Sequence, residues 1–205
     1  LWSIWINIAG SPGAVMWFFR DTLGRLVSFR TASDKLHLEL RDPPGFLLWR
    51  WDSDDAFTNL TNPGWHHLLV AANLIAITPV GQVFLDDAAL AITEINAPTT
   101  GDIDWTSTDI AVGAHTADTQ FFNGDMAELY LTDEYLDISI EANRRKFIDA
   151  AGKPVDLGAD GSAPTGTAPL IFFSGPTDDW HTNKGSGGGF TEIGALTDAA
   201  TSPSD

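Results

Sequence analysis

The residues of this chain best suited to chemistry are a loop of aromatics and amides and a short run of acids. Trp180-His181-Thr182-Asn183-Lys184 leads into Gly185-Ser186-Gly187-Gly188-Gly189-Phe190, so an indole, an imidazole and an amide share one glycine-rich loop. An aromatic ring beside polar groups is the usual equipment for holding sugars: the ring stacks on C–H faces and the polar groups take hydroxyls. Trp105 beside Asp104 offers the same pairing. Trp105, Trp180, His181 and Asn183 are therefore the candidate glycan contacts. The competing role is anchoring, with Trp180 tucking the tail onto the domain or onto a partner. The densest acidic run is Trp51-Asp52-Ser53-Asp54-Asp55. Asp52, Asp54 and Asp55 are the candidate metal ligands, and calcium is the hard cation that such oxygens suit. The run lacks the Gly and the closing Glu of a helix-loop-helix calcium motif, and a solvated turn is the simpler reading. Asp102, Asp104 and Asp118 are weaker loop candidates for the same ion.

Other catalytic chemistry finds little to work with. There is no Gly-x-Ser-x-Gly elbow and no His-Glu-x-x-His pair. With no Cys there is no disulfide, thiol nucleophile or thiolate metal site. His66 and His67 are adjacent in a strand pattern and point to opposite faces, so they do not bind one ion together. His67 shares a face with Trp65 and is expected to pack near it.

The elements that must position these residues read as strands. Trp2–Ile8, Ala14–Arg20, Leu26–Arg30, Leu36–Arg41, Phe46–Trp51, Trp65–Asn73, Val80–Leu85 and Ala88–Ile92 are separated by turn chemistry such as Asp42-Pro43-Pro44-Gly45 and Thr61-Asn62-Pro63-Gly64. Leu36, Leu38 and Leu40 alternate with His37, Glu39 and Arg41, which gives one buried and one wet face. Trp49 and Trp51 share one face of their strand and are assigned to the core. Asp86-Asp87 falls at a hairpin tip, where turn residues are wanted. Asn96–Thr108 is a polar connection, and Asp109–Ala114 and Met126–Thr132 are further strands. The period then changes, and residues 139–148 read as the one helix. Asp137 or Ser139 can cap it, and Arg144, Arg145 and Lys146 lie toward its C-terminal dipole. Gly152–Pro169 reads as an irregular arm, and residues 169–175 as one more strand.

The order Trp65-His66-His67, then Phe84-Leu85-Asp86-Asp87, then Gly124-Asp125-Met126-Ala127-Glu128 resembles the laminin-G-like, concanavalin A-like lectin-glucanase superfamily. There a Trp-x-His strand, an acidic hairpin and a Gly-x-x-x-Glu strand recur in that sequence. The resemblance implies an all-β, two-sheet antiparallel jelly-roll sandwich with one short helix and an extended C-terminal arm. Residues 1–151 form the jelly roll and 152–205 the arm, with its strand on the domain or on a neighbour. In related domains at least one strand precedes the position of Leu1, and the chain has no initiator Met, so a longer polypeptide is expected. The family's retaining glucanases carry Glu-x-Asp-x-(x)-Glu on one strand. No such run occurs here: Glu94-Ile95-Asn96 lacks the second acid and Asp102-Ile103-Asp104 lacks Glu. A noncatalytic protein is therefore expected, although a glycoside hydrolase with an unrecognised carboxylate pair stays open. Glu141–Phe147 and Lys153–Ser162 look similar to the tails of laminin-G-like proteins encoded in phage genomes.

Composition narrows the partners. Twenty-two Asp and six Glu against four Lys and seven Arg give a formal charge of −17, which repels phosphate backbones and argues against nucleic acid. The longest apolar runs, such as Leu68–Ala72, are too short to span a bilayer. The reading is a structural and attachment module of a virion, acting in decoration, a fibre or a tail. Other virion subunits and a cell-surface glycan are its expected partners, in an oligomeric or multicopy arrangement. An extracellular or cell-surface carbohydrate-binding domain of a marine bacterium is the alternative.

Overall fold

The computed structural model describes residues 1–8, 35–54, 64–106, 110–114 and 121–205 in full, and residues 17–21 and 27–32 as backbone. Its strands are β1 (Trp2–Ile8), β2 (Trp17–Asp21), β3 (Val27–Ala32), β4 (Lys35–Arg41), β5 (Leu47–Ser53), β6 (His66–Asn73), β7 (Val80–Leu85), β8 (Ala88–Ala89), β9 (Ile92–Asn96), β10 (Ile110–Val112), β11 (Gly124–Leu131) and β12 (Ile171–Phe173). They form two six-stranded sheets, β12-β11-β1-β6-β7-β8 and β10-β2-β3-β4-β5-β9. Every described pairing is antiparallel. The expected two-sheet antiparallel sandwich is therefore the fold.

The period of two explains the core. Leu36, Leu38 and Leu40 of β4 and Trp49 and Trp51 of β5 are buried in one cluster with Ile4 and Ile6 of β1 and Leu68 and Val70 of β6. Trp49 needs Gly81 beside it, because a Cβ there would collide with the indole. The other face of the first sheet is buried too. Leu69, Ala71, Tyr130 and Phe172 pack with Ile138, Phe147 and Leu157 of the segment that crosses over them. This double burial is why β6 reads as a continuous apolar run rather than an alternation.

The expected helix shrinks to one turn, α1 (Glu141–Arg144), and a second single turn follows as α2 (Thr177–Trp180). No side chain caps α1. Asp137, the expected cap, instead accepts from Gln82 Nε2 at 2.7 Å and from Ser139. Past the turn, Phe147 is drawn into the second cluster and Ile148 bridges Pro154. The expected strand Ala88–Ile92 also divides. β8 closes a hairpin in the first sheet, and β9 crosses to the second. The hairpin tip is Asp86-Asp87, both at positive φ (49° and 66°), as a type I′ turn requires.

His67 does not pack on Trp65. The β1–β6 register sets it opposite Trp5, and the two rings stack with centroids 4.8 Å apart. A directly opposed cross-strand partner is closer than the next-but-one neighbour along a strand, which is why the register decides the contact. His67 Nε2 also shares a hydrogen bond with Ser3 Oγ at 2.8 Å.

Candidate functional site

The edges of the two sheets part at β10 and at β11–β12, and the tail crosses the opening. A groove of about 980 Å³ results. It is lined by β10, the first half of β11, Trp180, Phe190 and most of the chain from Thr191 to Asp205. The tail is held there by side chains. Trp65 Nε1 donates to Thr201 O at 3.2 Å, and Thr177 Oγ1 bonds Asp198.

Trp180 and His181 line this groove, as the sequence pairing suggested. Trp180 meets Phe173 edge-on at 5.1 Å, and Phe190 meets the same ring at 4.9 Å. Trp180 thus anchors the tail and borders the groove at once. Its Nε1 is buried with no hydrogen-bond partner, and the adjacent His181 Nδ1, also buried, makes no hydrogen bond and faces Glu192 Oε2 at 3.5 Å. Buried polar atoms are nearly always paired, so the unpaired indole N–H at a groove, beside an imidazole held only by a long contact, invites an explanation. Phe121, 55% exposed, offers an open ring on the same surface.

Asn183 lies outside the groove and works as a brace. Its Oδ1 accepts from Phe172 N at 2.9 Å and Gly185 N at 3.0 Å, and its Nδ2 donates to Leu170 O at 3.0 Å and Gly188 O at 3.1 Å. Trp105 also sits elsewhere, packed against the main core and edge-on to Trp2 at 6.5 Å. Asp52 and Asp54 have separate partners: Asp52 Oδ1 is 2.7 Å from His37 Nδ1, and Asp54 Oδ1 accepts from Thr93 Oγ1 at 2.6 Å. Asp55 and Asp118 lie outside the described residues. Among the described residues no three His, Asp or Glu side chains gather as a metal site, and no helix is long and apolar enough to cross a membrane.

One groove residue escaped the sequence reading. Glu128 interrupts β11 at φ 48°, where the register with β1 slips between Ser3 and Trp5. The resulting bulge re-aims its side chain, as bulges do. Burial pushes the carboxyl up to about 7, with Lys184 opposing the shift and Asp156 adding to it. The signal in the sequence is slight: Met126–Leu131 reads as an unbroken strand.

No family model matches this chain, and no curated protein matches it. Among solved structures, the crystal structure of the binding domain of Paraclostridial Mosquitocidal Protein 1 is similar, with a TM-score of 0.43 and 15% identity. The match covers 67% of this chain and 34% of that one, so the chain spans about a third of that structure's length. The two-sheet fold rests on the strand topology rather than on this likeness.

Proposed function

We propose that the chain is a noncatalytic attachment module that holds a neutral glycan in the groove and is displayed in many copies on a virion. The observation that carries the reading is the unpaired Trp180 Nε1, with His181 held only by its 3.5 Å contact to Glu192, on the groove that the open ring of Phe121 also lines. A sugar ring stacks on such an aromatic and offers hydroxyls to the indole and the imidazole. A single open groove gives weak binding, and many linked copies raise the effective concentration without new contacts. Other virion subunits are then the natural partners. Calcium enters this reading only through the Asp52–Asp55 run, and Asp52 and Asp54 do not line the groove.

One observation favours a hydrolase. A carboxyl at about 7 in a groove is what a general acid needs. Glycoside hydrolysis also needs a second carboxylate across the bond, and the other carboxylates that line the groove are engaged elsewhere: Asp125 with Asn7, Glu192 with His181, Asp198 with Thr177 and Asp205 with Ser202 N. Binding is the better supported role.

The test is a glycan array probed with monomeric and particle-displayed protein, with and without a chelator. Displayed wild type should bind a neutral glycan, and His181→Ala or Phe121→Ala should abolish the signal with an unchanged melting temperature. Binding that survives both substitutions defeats the reading. Release of reducing sugar that stops on Glu128→Gln would establish the hydrolase instead.

A further inference from the structure

The outer face of the second sheet gathers arginines from several strands. The alternation that puts Leu36, Leu38 and Leu40 in the core sets His37, Glu39 and Arg41 on the other face of β4, where His37 is itself buried and Glu39 and Arg41 are half-buried. On β5, Arg50 stands opposite Glu39 and Asp52 opposite His37. The backbone register extends both rows, setting Arg30 opposite His37 and Ser28 opposite Glu39, with Arg20 opposite Ser28. Arg20, Arg30, Arg41 and Arg50 thus occupy four adjacent strands, and they are four of the chain's seven arginines.

The two fully described arginines differ in how they are used. Arg41 is held: Nε donates to Glu39 Oε1 at 2.5 Å and an Nη donates to Gly45 O at 2.7 Å. The imidazole of His37 and the Arg41 guanidinium keep the Glu39 carboxyl down at about 2 against the cost of its burial, so it stays an anion. That anion is bonded to Arg41 and reaches Arg50 only at 3.9 Å. Arg50 donates no hydrogen bond among the described residues, and its Nε is buried without a partner. His37 Nε2 is also buried and faces Glu39 Oε2 at 3.7 Å, too long for a hydrogen bond. The side chains of Arg41 and Arg50 remain about a third accessible, at 31% and 35%. A guanidinium without an acceptor is costly, and its planar fork fits a carboxylate in two parallel bonds.

We propose that this arginine-bearing face binds an acidic glycan, its uronate carboxylate or sulfate ester seated on Arg50 with Arg41 beside it. The net charge of −17 does not forbid this. At physiological ionic strength the screening length is about 8 Å, so a ligand on the sheet is governed by Arg41 and Arg50 and by the neighbouring Glu39 and Asp52, not by the distant aspartates. The site is separate from the groove and takes opposite chemistry, so it stands or falls independently of the neutral-glycan reading.

The experiment measures calorimetric binding of the whole chain to oligogalacturonides (carboxylate), to carrageenan oligosaccharides (sulfate) and to neutral laminarin oligosaccharides. Wild type should bind one or both acidic probes with an affinity that falls as salt rises, and this face should not take the neutral one. Arg50→Gln should weaken acidic binding about tenfold or more. Arg50→Lys, which keeps the charge and loses the fork, should fall between, and His181→Ala should leave the acidic signal unchanged. Thermal melting of each variant confirms its folding. The proposal is overturned if neither acidic probe binds, if folded Arg50→Gln binds as wild type does, or if His181→Ala removes the acidic signal.

Discussion

Asp87 at the tip of the β7–β8 hairpin and Arg144 at the end of α1 are joined by a hydrogen bond of 2.6 Å between Oδ1 and Nε. Arg145 reaches Oδ2 of the same carboxylate, also at 2.6 Å. Arg144 further lies 4.4 Å over the ring of Phe84 and donates to Ile138 O at 2.8 Å. One acidic turn residue thereby fastens the segment that covers the outer face of the first sheet. The basic residues that a helix dipole would explain are in fact aimed at a tertiary partner.

Asp87→Asn tests that clasp, because Asn tolerates the positive φ while losing the charge and one of the two accepting oxygens. Burial raises the Asp87 carboxyl, but the bonds from Arg144 and Arg145 outweigh it and hold it below its ordinary value. The carboxylate's stabilisation is therefore present above the ordinary Asp value and fades as pH falls below it. The substitution should cost about 1–2 kcal/mol at pH 7. A double-mutant cycle with Arg144→Ala should show coupling in urea melts, and strict additivity would refute the clasp.

Removing the tail in two steps separates fold from groove. Cutting after Ala151 deletes Ile171 and Phe173 from the main core and Phe172 and Leu157 from the second cluster. Each such side chain contributes about 2–3 kcal/mol, so the sum rivals the whole stability of a domain. That protein should be unfolded by circular dichroism. Cutting after Phe190 keeps β12 and removes one wall of the groove, and should leave a folded sandwich without glycan binding.

Asn183→Ala should behave as a structural lesion. The amide serves four backbone groups in one loop, so its loss should cost about 2–3 kcal/mol in thermal or urea melts. A variant as stable as wild type that loses glycan would return Asn183 to the binding surface.

Local alternation and turn chemistry were legible wherever one residue decides one position. β1 and β7 have the boundaries read from sequence, and the Asp86-Asp87 tip followed from residue type alone. What pairing decides was not legible. His67 stacks on Trp5 because of a register between strands about sixty residues apart, and no pattern local to Trp65 reveals it. The bulge at Glu128 inserts a residue without breaking the apolar character of β11. The facing of Glu39 and Arg50 was not legible either, since the register set by the Asp42–Gly45 turn shifts between Leu40 and Arg41 before it reaches them. Trp180 and His181, singled out in the sequence for their chemistry, line the groove. The wall from Thr191 to Asp205 was not legible, because a frayed-looking polar tail carries no periodicity.

His67 and Glu128 should give the stability curve slopes of opposite sign in weak acid. Burial lowers His67 to about 4 against an ordinary 6.5, with Asp86 and Asp87 pulling the other way. As pH falls from about 6.5 to about 4 the unfolded chain takes up a proton that the folded chain refuses, so stability drops by up to about 3 kcal/mol. Glu128 acts in reverse. Its folded value of about 7 against 4.5 means the folded chain holds the extra proton, and stability drops as pH rises from about 4.5 to about 7. Because the carboxyl is partly exposed, that loss should be about 1–2 kcal/mol. Glu128→Gln should accordingly raise the urea midpoint at pH 8 and leave it unchanged at pH 4. His67→Asn should lower it throughout through lost packing on Trp5, yet flatten the slope between pH 4 and 6.5. Equal shifts for Glu128→Gln at both ends of the range would show that its carboxyl titrates normally, and would remove the one observation that favours a catalytic acid in the groove.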